Sequence, residues 1–323
     1  MKNEAIKLSA PHSGGVKKIF SKYGLYFAFI ALIIILAIAS PTFFTSQNML
    51  NVLRQYTTIG VIAVGMTFVV ISGGIDLSVG SVLALSACIA TSYATTLAIF
   101  PLWVAILMGT LVGLACGAFN GLFIAKLRVA PFIATLATMT MARGLALVYT
   151  DGRPVINITE EYTNIGGGSV GVIPIPIIIF LVVILIGIFL LNFSKFGRYV
   201  FAIGGNEQAA KVSGISVTGV KFACYAITGV CAAIGGIVLS SRVMTGQPNA
   251  GSGYELDSIA AVVVGGSSLA GGVGSIIGTV VGVLIIGFLT NGLELLNVSS
   301  YYQQVVKGII ILVAVLLDRK RPA

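Results

Sequence analysis

Residues 102–125 read LWVAILMGTLVGLACGAFNGLFIA, a run without a single charge. About 20 apolar residues in an α-helix, rising 1.5 Å each, cross the ~30 Å hydrocarbon core of a bilayer. The run is therefore long enough to span a membrane. It has no polar stripe that would let it lie on a soluble core. Gly109, Gly113, Gly117 and Gly121 recur every fourth residue. That spacing places them on one helix face, a groove for a closely packed neighbour.

Nine further runs of this kind extend outward from it. The ten expected spans are 23–40, 56–72, 78–100, 102–125, 130–150, 172–193, 221–241, 258–271, 274–292 and 301–317. The fold class is all-α: a polytopic membrane protein with one transmembrane domain over 23–317. Tails at 1–22 and 318–323 flank it. The chain's composition agrees, with 57% hydrophobic and only 9% charged residues among 323, and a mean hydropathy of +1.05. A soluble domain carries about 25% charged residues, so a cytosolic enzyme, a nucleic-acid-binding module and a disordered chain are excluded. The first span is no cleaved signal, since 22 polar and basic residues precede it and Ser40-Pro41 is a poor cleavage site.

Lysine and arginine set the orientation. Lys2, Lys7, Lys17, Lys18, Lys22, Lys126, Arg128, Lys195, Arg198, Lys211, Lys221, Arg319, Lys320 and Arg321 fall on one side, most of the chain's 19 basic residues. Arg54, Arg153 and Arg242 fall on the other. The positive-inside rule then puts both termini in the cytoplasm. Asp151, Glu160, Glu161, Glu255, Asp257 and Glu294 lie outside. Arg143 and Lys307 lie within spans, where long stems can snorkel to the interface.

A second glycine ladder, Gly274, Gly278 and Gly282, occupies span nine. Asn120-Gly121 and Asn291-Gly292 follow the two ladders, and spans three and eight begin beside Asp76 and Asp257. Spans four and nine are five apart and run in opposite directions. An inverted repeat of spans two to five and seven to ten is expected. Asp76 itself reads as a cap for span three.

No Gly-Lys dipeptide occurs, so there is no P-loop. Gly167-Gly168-Ser169-Val170-Gly171 matches the hydrolase elbow by chance, since His12 is the sole histidine and sits in the N-terminal tail. Cys88, Cys116, Cys224 and Cys231 lie in apolar runs and read as small hydrophobes. No cofactor or metal motif is visible. A secondary carrier would need intramembrane acids and an embedded enzyme a nucleophile–base pair, and neither pattern is present.

The loop between spans six and seven carries Asn206 and Glu207 as cap and N-terminal acid of a short helix. Ala209, Ala210 and Val212 form its small apolar face, and Gly214 its stop. Such a helix suits docking into a partner's groove. Here the chain resembles the membrane subunits of bacterial ABC importers for monosaccharides. The likeness rests on Ser72-Gly73-Gly74-Ile75-Asp76-Leu77-Ser78-Val79-Gly80-Ser81 and on the loop from Gly204 to Ile215. A third part runs from Gly253-Tyr254-Glu255-Leu256-Asp257 through Gly265-Gly266-Ser267-Ser268-Leu269-Ala270-Gly271-Gly272 to Ser299-Ser300-Tyr301-Tyr302-Gln303. It covers about residues 40 to 317. The last two motifs point to ribose over xylose, galactose or related sugars.

The resemblance implies a permease of a bacterial inner membrane working as a homodimer. A cytoplasmic ATPase with two nucleotide-binding cassettes and a periplasmic sugar-binding protein would serve it. ATP hydrolysis would belong to the partner. By position, Gly205, Asn206, Glu207, Ala209, Ala210, Ser213 and Gly214 would form the coupling element. Gly73, Gly74, Asp76, Ser78 and Gly80 would lie near the path. By residue type alone, Asn120, Asn291, Tyr302 and Gln303 are candidates to meet the sugar.

Overall fold

The computed structural model describes residues 14–98 and 100–318; the tail residues 1–13 and 319–323 lie outside it. It is helical almost throughout: α1 (Gly14–Ala39), α2 (Ser46–Ile71), α3 (Val79–Tyr93), α4 (Leu102–Gly121), α5 (Pro131–Thr150), α6 (Glu160–Gly167), α7 (Ile175–Ile188), α8 (Lys195–Gly205), α9 (Glu207–Val212), α10 (Val217–Arg242), α11 (Tyr254–Val264), α12 (Ile276–Leu295) and α13 (Ser300–Asp318). A two-residue hairpin, Ser169–Val170 against Ile173–Pro174, precedes α7. Among the described residues, six helical segments are long and apolar enough to cross a membrane.

Side chains of short polar residues start the helices. Thr45 accepts from the Asn48 amide, Ser194 from Gly197, Ser216 from Gly219 and Ser275 from Gly278. Each satisfies one of the donors that a helix start leaves open. The Thr45 cap explains why α2 begins ten residues before its expected span: hydropathy passes over Asn48, Asn51, Arg54 and Gln55, but the cap does not. Similarly, α1 already begins at Gly14, inside the expected tail.

Two expected spans are short. α3 stops at Tyr93, and Thr95 bridges to Ile158 in the segment between α5 and α6. α11 has 11 residues, about 16 Å, half of a bilayer core. The rest of span eight, 265–271, and the residues that follow up to 275 form a turn with Gly266, Gly271 and Gly272 at positive φ. The segment 151–171, between two expected spans, contains α6. Its Tyr162 is fully buried with its hydroxyl 2.8 Å from Ser240, and burial pushes that phenol's pKa up.

α2 is buried at every position from Tyr56 to Ile71 and forms the axis of the bundle together with α10. The outer faces are apolar, as at Leu107, Leu111 and Leu114 on α4. An exposed apolar surface of this extent suits lipid. Both glycine ladders face backbones. A methyl on Gly109 would stand 2.9 Å from Ala90 Cβ of α3. One on Gly113 would meet the Gly229 carbonyl of α10, and one on Gly121 would stand 2.9 Å from Phe222 Cα. Methyls on Gly278 and Gly282 would meet the Gly265 and Ala261 carbonyls at the end of α11.

The packing recurs. α4 lies on α10 as α12 lies on α2, and α3 lies on α10 as α11 lies on α2. The pairs α3–α4, α3–α5 and α4–α5 have counterparts in α11–α12, α11–α13 and α12–α13. The α2–α10 contact joins the two sets.

Candidate functional site

The Ser72-to-Ser81 stretch links α2 to α3. Gly73, at φ +78°, turns the chain, and Gly74 lies under the Tyr225 hydroxyl, which donates to the Ile75 carbonyl at 3.2 Å. Asp76 is buried. Its Oδ1 accepts from the Ser78 amide at 2.9 Å and the Ser78 hydroxyl at 2.6 Å. The carboxylate thus braces the turn that leads into α3; it is not the expected cap, since Ser78 holds the N-cap position and Asp76 lies two residues before it. Asn120 of α4 donates from Nδ2 to Ser78 Oγ at 2.9 Å, and its Oδ1 accepts from Thr138 Oγ1 of α5 at 2.5 Å. Three helices are therefore tied by one buried polar chain. Gly80 abuts Gly251, whose added methyl would lie 2.7 Å from the Gly80 carbonyl. The first turns of α3 and α11 accordingly meet.

The loop between α7 and α10 has the expected short helix. Asn206 Oδ1 accepts from the Ala209 amide at 2.9 Å, Glu207 lies in the first turn of α9, and Gly214 at φ +81° ends the turn after Ser213. Glu207 also pairs with Lys221 at 2.6 Å. One expectation fails here. Ala210 does not belong to an outward apolar face; it is buried with Ile203, Val220 and Ile124, while Ala209 and Val212 face out. Alternate residues of so short a helix point to opposite sides, and the sequence could not say which side the bundle takes.

The glycine pair before it also divides. Gly205 has open space where a side chain would be. Gly204 has none, because a methyl there would strike the Ile71 carbonyl and the Gly272 amide. Gly272 N donates to that same Ile71 carbonyl at 2.9 Å. Gly204 is a close main-chain contact that the candidate coupling set left out; its signal was the Gly204-Gly205 doublet.

The four candidate sugar contacts do not come together. Asn120 is locked in the buried chain with Ser78, and Asn291 makes reciprocal bonds to Asn48 at 2.9 and 3.0 Å. Tyr302 faces outward. Gln303 lines a cleft of about 220 Å³ between α2, α11, α12 and α13, and donates to the Val298 carbonyl at 2.9 Å. Lys307 does not snorkel; it pairs with Asp257 at 3.0 Å in this cleft's wall. Nor does Arg143, whose Nη1 donates to the Pro248 and Ala250 carbonyls at 2.5 and 2.9 Å and clamps the loop before α11.

This arrangement of broken helices and glycine-faced packing has counterparts in known sequences. The family model described as "Branched-chain amino acid transport system / permease component" matches residues 48–315. The chain belongs to that permease family. It is 51% identical over 307 residues to the "Ribose import permease protein RbsC" of Bacillus subtilis (strain 168), covering 94% of this chain and 95% of that one. The Haemophilus influenzae protein of the same name is 49% identical over 298 residues, 90% and 92% of the two chains. The "D-allose transport system permease protein AlsC" of Escherichia coli (strain K12) is 39% identical over 301 residues, 93% and 92%. No solved structure matches. The chain is a multi-pass membrane permease.

Proposed function

We propose that this protein is the membrane-spanning subunit of an ATP-driven importer that carries ribose from periplasm to cytoplasm by alternating access. The observation that carries this is the identity of about half over nearly the whole chain with proteins named for ribose import, against 39–41% for the allose and arabinose permeases. The family description names amino acids, but these relatives are sugar permeases by name. Ten spans cross the inner membrane, with α3 and α11 as its two short ones and both termini cytoplasmic. Spans two to five and seven to ten form an inverted repeat, a reading supported by the recurring helix pairs.

Two copies form the pore. A cytoplasmic ATPase with two cassettes docks at the α8–α9 loop, and a periplasmic binding protein delivers the sugar. In this reading α9 offers Ala209 and Val212 to the ATPase, while Asn206 and Gly214 hold its shape and Ala210 seats it on the bundle. The segment from Gly73 to Gly80 supports the path by fixing where α3 begins.

The test is uptake by proteoliposomes containing the permease and its ATPase, supplied with the binding protein, across several pentoses and hexoses. ATP-dependent ribose uptake is expected. Uptake without ATP would make the protein a secondary carrier. Ala209→Glu and Val212→Glu should insert normally yet lose co-purification with the ATPase, because an unpartnered charge at a docking surface is costly. Normal co-purification in both would remove the coupling role from α9.

A further inference from the structure

The cleft between α2, α11, α12 and α13 differs from the rest of the bundle. Elsewhere these helices meet through glycine, apolar side chains and uncharged pairs such as Thr67–Thr279 and Asn48–Asn291. Here Tyr56, Thr290 and Gln303 form a buried floor, and the Asp257–Lys307 pair stands in the wall with side chains 13% and 27% exposed. Glu294 and Gln304 stand exposed at the mouth. The ring of Tyr254 completes a second aromatic wall. Charged groups between membrane helices carry a desolvation cost, and by default they mark a path or a ligand.

The chemistry selects a class of ligand. A sugar hydroxyl both donates and accepts, and its C–H faces lie well on aromatic rings. Carboxylates and amides supply acceptors and donors on one side of the cleft, and two tyrosines supply the flat walls. Among the described lining residues Lys307 is the sole cation, and Asp257 already takes its charge. Glu294 then leaves the cleft negative. A phosphate or carboxylate on the ligand finds no free counter-ion there and meets repulsion.

We infer that this cleft is a low-affinity monosaccharide site on the outer half of the path, accepting neutral sugars and refusing phosphorylated or acidic ones. The inference rests on the importer reading, and it adds a selectivity step in the permease itself, separate from the binding protein. Glu294 and Gln304 act as ligand contacts, and the Asp257–Lys307 pair positions the wall.

The experiment is ligand-observed saturation-transfer NMR on the permease–ATPase complex in nanodiscs, without binding protein, with ribose and ribose 5-phosphate as probes. Transfer to the ribose ring protons is expected, with ribose 5-phosphate about tenfold weaker. Glu294→Ala and Gln304→Ala are exposed and fold-safe, and each should weaken the ribose signal about tenfold, the loss of one charge-assisted or paired hydrogen bond. Undiminished transfer in both variants, or equal transfer to the phosphate, overturns the site. The same preparation is assayed for uptake with binding protein and ATP. Uptake without any ribose contact at the cleft sinks the site and leaves the importer. Ribose contact without ATP-driven uptake sinks the importer and leaves the cleft.

Discussion

The two halves of the bundle fasten the same joint with different chemistry. In α2–α5, Asp76 at the start of α3 reaches the eighth residue of α5, Thr138, through Ser78 and Asn120. In α10–α13, Asp257 in the first turn of α11 reaches the eighth residue of α13, Lys307, directly. The first fastening is buried, and one carboxylate oxygen accepts from the Ser78 amide, the Ser78 hydroxyl and, at 3.5 Å, Asn120 Nδ2. The second is an ion pair open to a cleft. A repeated architecture therefore fixes where a tie is needed but not what it is made of. Where solvent reaches, a charge pair is tolerable; where it does not, amide and hydroxyl groups must satisfy the carboxylate one by one.

The strongest way to break the symmetry is through the ladders. Gly113→Leu or Gly117→Leu forces a side chain into the α10 backbone, and overpacking against backbone should exceed the usual cost of about 1–3 kcal/mol. Loss of assembled protein in membranes, measured by size-exclusion of the solubilised complex, is the expected result. Gly282→Leu should do the same against α11. Gly144→Leu on α5, where a side chain meets nothing within 4 Å, should assemble normally. Assembly of the Gly113 and Gly117 variants would mean that the α4 face does not pack as described.

Next come the ties themselves. Asn120→Ala takes the acceptor from Thr138 Oγ1 and a donor from Ser78 Oγ in a buried site, at about 1–3 kcal/mol, read as a lowered midpoint of thermal unfolding. Lys307→Gln should lower it less, by about 1 kcal/mol, since the pair is partly solvated. Salt separates the two cases. Raising ionic strength from 0.15 to 1 M shortens the screening length from about 8 to about 3 Å. The Lys307→Gln deficit should shrink with salt and the Asn120→Ala deficit should not. Equal salt dependence would erase the distinction between the halves. The smallest effect is Glu207→Gln. Its pair with Lys221 lies at the surface, with Glu207 53% exposed. Its removal should change stability by under about 1 kcal/mol, seen in the same melting curves.

Much of this was legible in the sequence because bilayers impose it. The four-residue ladders are fixed by helix geometry and close packing, so they survive translation into structure, whereas span length does not everywhere, since α3 and α11 stop short of their expected spans. What failed has a common cause. Arg143, Lys307, Ala210 and Asn291 were each read from their own helix, and each is decided by a residue far away in sequence: the Pro248 carbonyl, Asp257, the α10 wall and Asn48. α6 was missed for the converse reason. Its sequence is short and polar, and it is anchored by Tyr162 and Gly166 against Ser240 and Ser241.

Gly204 sits between the Ile71 carbonyl and the Gly272 amide, with no side chain interposed. Most loop-to-bundle contacts in proteins are upholstered: methyl groups and long stems take up small displacements before backbone moves. Here there is no upholstery. The end of α8, the end of α2 and the turn before α12 touch as bare main chain. Position 204 therefore touches the end of α2 and the turn before α12 at once. The joint has no slack, and even one added methyl at position 204 would convert a tight bearing into a jam.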